Sequence, residues 1–412
     1  MKILHVIPAV APRYGGPSQA IVGLCRALRD QGLDVEMCTT DADGDGRLPV
    51  ELGKRIVYQG IPSYFFRRDW TEAFKYSRSL KRWVGQHVDQ YDMVHIHGGF
   101  SHATYAAARA CHRRGIPYIV RPFGTLEPWS MHHKRPRKFI AWHAGFRRVI
   151  QAAIAIHYTT EQERMLTENS LNLRNGIVVP NGVDESVLER GSSHRFRQEL
   201  GLSDRDSFLL TLSRVHPQKG IEFILQAFVD LKVQGHLAGW HLVIAGSGEP
   251  DYVRRLQGLA HQTSAESFVH WVGWLQGESK QAALSESNLF VLSSFQESFG
   301  IGVLEAMACA TPVLISRHVG LASTIEAHRA GWVVNLNSDE LRTALLEATQ
   351  HPAILQARGE AARQLVAEEF VWSKIAVRWT VLYDRLLTGY KRGATSESSV
   401  PLGQTVSGDK WG

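Results

Sequence analysis

Residues 288–314 read Asn-Leu-Phe-Val-Leu-Ser-Ser-Phe-Gln-Glu-Ser-Phe-Gly-Ile-Gly-Val-Leu-Glu-Ala-Met-Ala-Cys-Ala-Thr-Pro-Val-Leu. The apolar run Leu289 to Leu292 has the length of a buried strand, and Val303, Leu304, Met307 and Ala308 recur at helical spacing. Between them lies a turn rich in Ser and Gly. A strand that feeds such a turn into a helix aims unpaired N–H groups, here those of Ser298, Phe299, Gly300 and Ile301, at the carboxyl end of the sheet, where a phosphate is held. Gly300 lets the backbone come close.

Two carboxylates flank this turn. Glu297 and Glu305 are eight residues apart, which at the helical rise places them roughly 12 Å apart along an axis, enough to reach opposite sides of a pyrophosphate. A glycosidase pair needs roughly 5 to 10 Å. As plain helix-end glutamates they would need no ligand, Glu297 favouring the positive end of the helix.

The chain of 412 residues, 44% hydrophobic and 21% charged, is long enough for two domains with proper cores and is composed like a soluble globular protein. Cys25, Cys38, Cys111 and Cys309 show no C-x-x-C or disulfide-like spacing, which suits a reducing compartment and implies no metal site. The apolar start from Ile3 to Val10 is interrupted by His5 and Pro8, so a first strand is expected rather than a leader peptide. No window holds about 18 uninterrupted apolar residues, and a cytoplasmic location is expected. Charge is uneven: residues 1–180 hold 25 Lys and Arg against 15 Asp and Glu, while residues 181–412 hold 21 against 25. A basic half fits nucleic acid, an anionic membrane or a phosphorylated acceptor.

The first half alternates strand-like runs (2–7, 34–39, 92–97, 117–121, 153–158) with helical patterns, which predicts a parallel, doubly wound sheet. Gly15-Gly16-Pro17-Ser18 opens a helix on which Ile21, Leu24 and Leu28 share a face. His95 and His97 lie two apart on a strand and so on one face, with no third metal ligand nearby in sequence. Residues 132–150 carry six Lys or Arg, no acid, and Phe139, Trp142 and Phe146 at helical spacing. This reads equally as a membrane-surface helix or as a core-facing helix with a solvated basic side. Arg67 to Arg82 is a second basic stretch, with Trp70, Phe74 and Tyr76 interleaved. In the second half, strands are expected near 207–213, 240–246, 267–272, 288–292, 312–316 and 331–335. Ser213-Arg214-Val215-His216-Pro217-Gln218-Lys219-Gly220 follows the first of these. Arg and Lys together can neutralise a diphosphate. Ala245-Gly246-Ser247-Gly248 is glycine-rich but is no G-x-G-x-x-G fingerprint, so a nicotinamide cofactor is not expected.

Phe295 to Ala308 resembles the Glu-x7-Glu signature of retaining, nucleotide-sugar-dependent glycosyltransferases with the GT-B fold, and the likeness extends over roughly residues 1–390. The resemblance implies an α/β chain of two Rossmann-like domains with parallel sheets facing across a cleft. Residues 1–184 would form the acceptor-side domain, joined by a helix at 373–392 that crosses back. Residues 185–372 would form the nucleotide-sugar domain, and 393–412 a disordered tail. By matching position, Glu297 meets hydroxyls of the donor sugar and Glu305 the ribose, while Arg214 and Lys219 clamp the pyrophosphate. Gly16 approaches a donor phosphate or the acceptor, Gly246 approaches the donor, Val272-Gly273-Trp274 lies at the nucleotide base through backbone contacts with Trp274 equally readable as packing, and His97 lies near the reacting sugar carbon. Arg121 to Trp129 resembles the acceptor-side loop. Ser293 stands where a proline is common and Ala310 where a glycine is usual, which weakens a subfamily assignment.

The implied activity is transfer of a sugar from a nucleoside-diphosphate sugar to a hydroxyl of a saccharide, and the basic first half points to a lipid-linked acceptor at the cytoplasmic membrane face, as in surface-polysaccharide assembly. It needs no metal cofactor and no nucleic-acid partner, and allows peripheral contact with an anionic membrane. A GT-B nucleotide-sugar epimerase, or a non-catalytic sugar- or nucleic-acid-binding protein, would fit part of the same pattern.

Overall fold

The computed structural model describes residues 1–132, 135–188, 195–263 and 265–397. Ten strands lie in the first half: β1 (Lys2–Val6), β2 (Asp34–Thr40), β3 (Ala42–Asp43), β4 (Gly46–Arg47), β5 (Arg55–Tyr58), β6 (Ile61–Phe66), β7 (Met93–His97), β8 (Tyr118–Arg121), β9 (Ala155–Tyr158) and β10 (Gly176–Val178). Eight of them form one sheet in the order β10-β9-β8-β7-β1-β2-β6-β5, and β3 and β4 make a separate hairpin. The second half supplies β11 (Ser207–Leu212), β12 (Trp240–Ala245), β13 (Val269–Gly273), β14 (Leu289–Leu292), β15 (Val313–Ser316) and β16 (Gly331–Val334). Their order is β13-β12-β11-β14-β15-β16, all parallel. β7 and β14 are buried along their whole length because helices cover both faces of each sheet.

The two sheets and the strand-helix alternation give the GT-B architecture expected from the sequence. The first sheet differs from a purely parallel one at its edge, where β5 pairs antiparallel with β6. Gln59 (φ 48°) and Gly60 (φ 81°) form the tight two-residue turn that such a hairpin needs. Pro62 lies ahead of the β2–β6 register, which starts at Ser63, so its missing N–H costs that ladder nothing.

Two passes of chain link the halves, and they run side by side. Val183 N–H donates to Phe370 C=O (2.8 Å), and Trp372 N–H donates to Val183 C=O (3.0 Å). The helix Trp372–Glu397 then lies against the first half, burying Trp372, Ile375, Ala376, Trp379 and Tyr383 in one core with Ile3, Ile21 and Leu24. It crosses the helix Gly16–Asp30 so closely that a Cβ on Gly23 would stand 2.2 Å from Trp372 Nε1. The Tyr383 hydroxyl reaches His95 Nδ1 at 2.7 Å. The helical backbone runs past Gly393, where a disordered tail was expected, to Glu397; residues 398–412 lie outside the described residues.

The basic segment after β8 is not one amphipathic helix. Short helices at Pro128–His132, Arg135–Ala141 and Arg147–Gln151 are joined in part by a π turn whose Gly145 has φ 151°. That turn rotates the face: Trp142 and Phe146 enter the core, while Phe139 and Ile140 are 59% and 67% exposed. In the second basic stretch Arg68 is buried, pairing with Glu72 and bonding the Gly44 carbonyl, and Lys75 pairs with the same Glu72 at 2.8 Å. Both cations are spent on structure.

Because Trp379 is fully buried at the crossing helix, Trp379→Ala is expected to cost about 3–5 kcal/mol, read as a lower urea midpoint. An unchanged midpoint would show the helix dispensable to the first half.

Candidate active site

The loops at the carboxyl ends of β1, β8, β11, β12, β13 and β14 enclose a cavity of about 690 Å³ between the sheets, a size suited to a small-molecule ligand. β14 feeds the Ser293–Gly300 turn, and Gly300 (φ 100°) caps the helix Ile301–Ala308. The amides from Ser298 to Val303 meet no protein acceptor among the described residues. Across the cavity, Gly15 (φ 66°) caps the helix that opens at Gly16. A Cβ on Gly16 would stand 2.9 Å from Ile301 Cδ1. The two helix mouths therefore face each other, and both bring partial positive charge to the same space.

The charged side chains add to this field. Lys219 Nζ pairs with Glu297 Oε2, and Lys280 Nζ pairs with Glu305 Oε1 at 2.6 Å. Each glutamate thus has its own lysine. Arg214 is exposed at the cavity wall and meets no carboxylate among the described residues. Its guanidinium and the two helix mouths are the positive excess of the site, which makes it a receptor for an anion.

Glu297 is not in the helix. Its N–H donates to His318 C=O (3.0 Å) and its own C=O accepts from Gly320 N–H (2.7 Å), a bridge beside Val319. The estimate of roughly 12 Å along one helix axis therefore does not apply to this pair. Gly246 is required for a local reason: at φ 148° a Cβ there would fall 1.8 Å from the Ser213 carbonyl. It lets the loop carrying Arg214 pack against the end of β12.

Gly16, Arg214, Lys219, Gly246, Glu297, Ser298, Phe299, Gly300, Ile301 and Glu305 all border the cavity. Val272 and His97 do not. β12 and β13 slip register between Ile244 and Ala245, and Gly273 (φ 69°) turns the chain. In consequence Trp274, 44% exposed, and Leu275 reach the wall while Val272 packs into the core. His97 is fully buried behind Phe123, with Nε2 3.0 Å from His5 Nδ1 and its ring stacked on His95 at 4.2 Å. It does not reach the cavity directly.

His5, His95 and His97 offer nitrogens within 4.8 Å of one another, a juxtaposition the sequence spacing does not reveal. Its rings are uncharged. Burial first, then neighbouring histidines and the Arg121 guanidinium, holds His97 well below the usual imidazole range, and burial with Arg121 lowers His5 to about 3. Nothing in the sequence marks Lys280, and Arg121 is marked only as the start of the acceptor-side loop. Lys280 sits in the helix Gly277–Glu286 with no local motif to mark it. Arg121 ends β8, buried against Phe123 and bonded to Asn181, yet it borders the cavity floor.

Residues 192–365 match the family model for glycosyl transferases group 1, and residues 15–182 match that for the glycosyl transferase 4-like domain. The chain is a group 1 glycosyltransferase of the GT-B fold. An uncharacterised glycosyltransferase of Methanocaldococcus jannaschii is 26% identical over 93% of this chain and 98% of its own. The GDP-mannose:cellobiosyl-diphosphopolyprenol alpha-mannosyltransferase of Komagataeibacter xylinus is 24% identical over 94% of each. The solved structure of Anabaena HepE with UDP and glucose superposes with a TM-score of 0.76 at 18% identity, over 93% of this glycosyltransferase and 100% of HepE.

Lys219→Ala is expected to lower sugar-transfer turnover by about 10²–10³ while leaving the melting temperature nearly unchanged, since the lysine is a cavity-wall residue. Near-normal turnover in a steady-state assay would remove Lys219 from the reaction.

Proposed function

We propose that this glycosyltransferase moves a sugar from a nucleoside-diphosphate sugar to a saccharide hydroxyl with retention at the anomeric carbon. The observation that carries the reading is the pair of facing helix mouths beside Arg214 and Lys219, an arrangement suited to a diphosphate. Residues 1–184, with 373–392 returning to them, serve the acceptor, and 185–372 hold the donor. The bond from the sugar carbon to the diphosphate oxygen breaks while the acceptor oxygen bonds to that carbon on the same face. The acceptor proton passes to the departing phosphate oxygen, so the protein need supply no base. Arg214, Lys219 and the amides near Gly300 stabilise the charge that develops on the leaving group. Glu297 orients the sugar, Glu305 orients the ribose, and Trp274 with Leu275 borders the base. No metal is needed, because lysine, arginine and helix ends provide the positive charge.

The acceptor is a lipid-linked saccharide met at an anionic membrane. Phe139 and Ile140 stand exposed on the basic segment beside Trp129, which borders the cavity, and the name of the Komagataeibacter relative contains a diphosphopolyprenol acceptor. No helix among the described residues is long and apolar enough to cross a membrane, so the contact is peripheral. The side chains of Arg135 and Arg137, expected to join in it, lie outside the described residues, and Lys138 bonds Ser130.

Melting the protein with UDP, GDP or ADP tests the donor reading: one of them should raise the melting temperature, as a ligand that binds only the folded form must, and no shift with any of the three would contradict it. Cosedimentation with phosphatidylglycerol vesicles tests the acceptor reading. Binding should fall several-fold when Phe139 and Ile140 are both changed to Ser, and absence of binding by the unaltered protein would defeat it.

A further inference from the structure

One cation of the cavity wall, Lys280, has no part in gripping the phosphates. It stands in the helix Gly277–Glu286, and its Nζ lies 2.6 Å from Glu305 Oε1 on the helix Ile301–Ala308. Both side chains are 15% exposed, and both border the cavity. The other carboxylate oxygen, Glu305 Oε2, meets no donor among the described residues. One oxygen is therefore held by the protein while its twin is open to a ligand.

The pair also joins two parts of the wall. Ile301 and Glu305 are four residues apart and so share one face of their helix, and both border the cavity. That spacing sets the carboxylate about 6 Å along the axis from the amides that open the helix. Lys280 comes from the segment that follows β13, where Trp274, Leu275 and Gln276 border the same cavity. The ion pair thus ties the wall assigned to the base to the helix assigned to the phosphates, and a ribose is the part of a nucleotide that lies between the two.

A glutamate at this place needs such a tie. Its side chain has three rotatable bonds, and the positive field closest along its own helix is the mouth, where the amides from Ser298 to Val303 are unpaired. A free carboxylate is drawn toward that mouth, where the phosphates belong. Held by Lys280, it is ordered before a ligand arrives, and less of the binding free energy is lost in ordering it.

We propose that Lys280 is a positioning residue that sets the pentose selectivity of the nucleotide site: by holding Oε1 of Glu305 it aims Oε2 at a ribose hydroxyl. The inference rests on the reading that the cavity takes a nucleoside diphosphate with Glu305 at its ribose.

The test is titration calorimetry of a ribonucleoside diphosphate against its 2′,3′-dideoxy form, using whichever of UDP, GDP and ADP raises the melting temperature. A hydrogen bond to a charged group is worth roughly 10- to 100-fold in affinity, and the unaltered chain should prefer the ribose form by that factor. Lys280→Met, which keeps the length of the side chain, should bring the ratio near unity, and Lys280→Arg should keep most of it. Any repulsion from the freed carboxylate weakens both nucleotides alike and cancels in the ratio. Glu305→Gln should also lose the preference, and adding Lys280→Met to it should change the ratio no further. A ratio that survives Lys280→Met, whether or not both affinities fall together, would overturn the proposal; Lys280→Ala makes the same comparison if the methionine variant fails to fold. Loss of the ratio in Glu305→Gln but not in Lys280→Met would sink the role of Lys280 and leave the donor reading standing, whereas no binding of any of the three diphosphates would sink both.

Discussion

Two helix mouths aimed at one another across a narrow gap are the constraint on which the rest of this structure depends. The Gly300 mouth brings the amides from Ser298 to Val303 and the other the N–H of Gly16, each with partial positive charge whose interaction with an anion is worth about 0.3–1 kcal/mol at an exposed site and more where water is excluded. Gly16 and Ile301 come within contact distance, so neither mouth can be solvated freely on its facing side. Glu297 and Glu305 do not cancel this charge, because each is held by a lysine of its own. The arrangement is satisfied when a doubly charged group lies between the mouths, which is the form of a nucleoside diphosphate.

Holding two separate sheets at that distance is the task of the chain crossings. The connector at Val183 and the return at Phe370 to Trp372 hydrogen-bond to each other, so both hinge strands move together. The returning helix then anchors in the first core through Trp379 and Tyr383. A cavity bordered by loops of both halves, with paired crossings behind it, is suited to closing over a donor.

The parts legible in the sequence are those in which local pattern and chemistry coincide. Leu289 to Leu292, the Ser-Gly turn and the helix beyond it stand where the spacing placed them, and with them ten of the expected site residues border the cavity. What was not legible depends on long-range geometry. The β5–β6 hairpin hides behind Pro62, whose harmlessness depends on where the parallel register begins. Within Val272-Gly273-Trp274 it is Trp274 that reaches the cavity wall, because a register slip and a left-handed glycine turn the chain, and no alternation of residues reports that choice. His97 sits at a strand end, as read, but Phe123 from the next loop covers it. The basic segment carries a helical period that the Gly145 turn breaks, so its aromatic residues divide between core and surface. Lys280 reaches Glu305 from a helix 25 residues earlier in the chain, with nothing in the intervening sequence to announce the pair.

The central claim is that the site grips phosphates and only then a base or sugar. Titration calorimetry of UDP against uridine, and of GDP against guanosine, at two salt concentrations measures it most directly. The structure predicts that one diphosphate binds at least about tenfold, or 1.4 kcal/mol, more tightly than its nucleoside, and that Arg214→Ala removes most of that difference. Equal affinity for nucleoside and diphosphate, unaffected by Arg214, would contradict it.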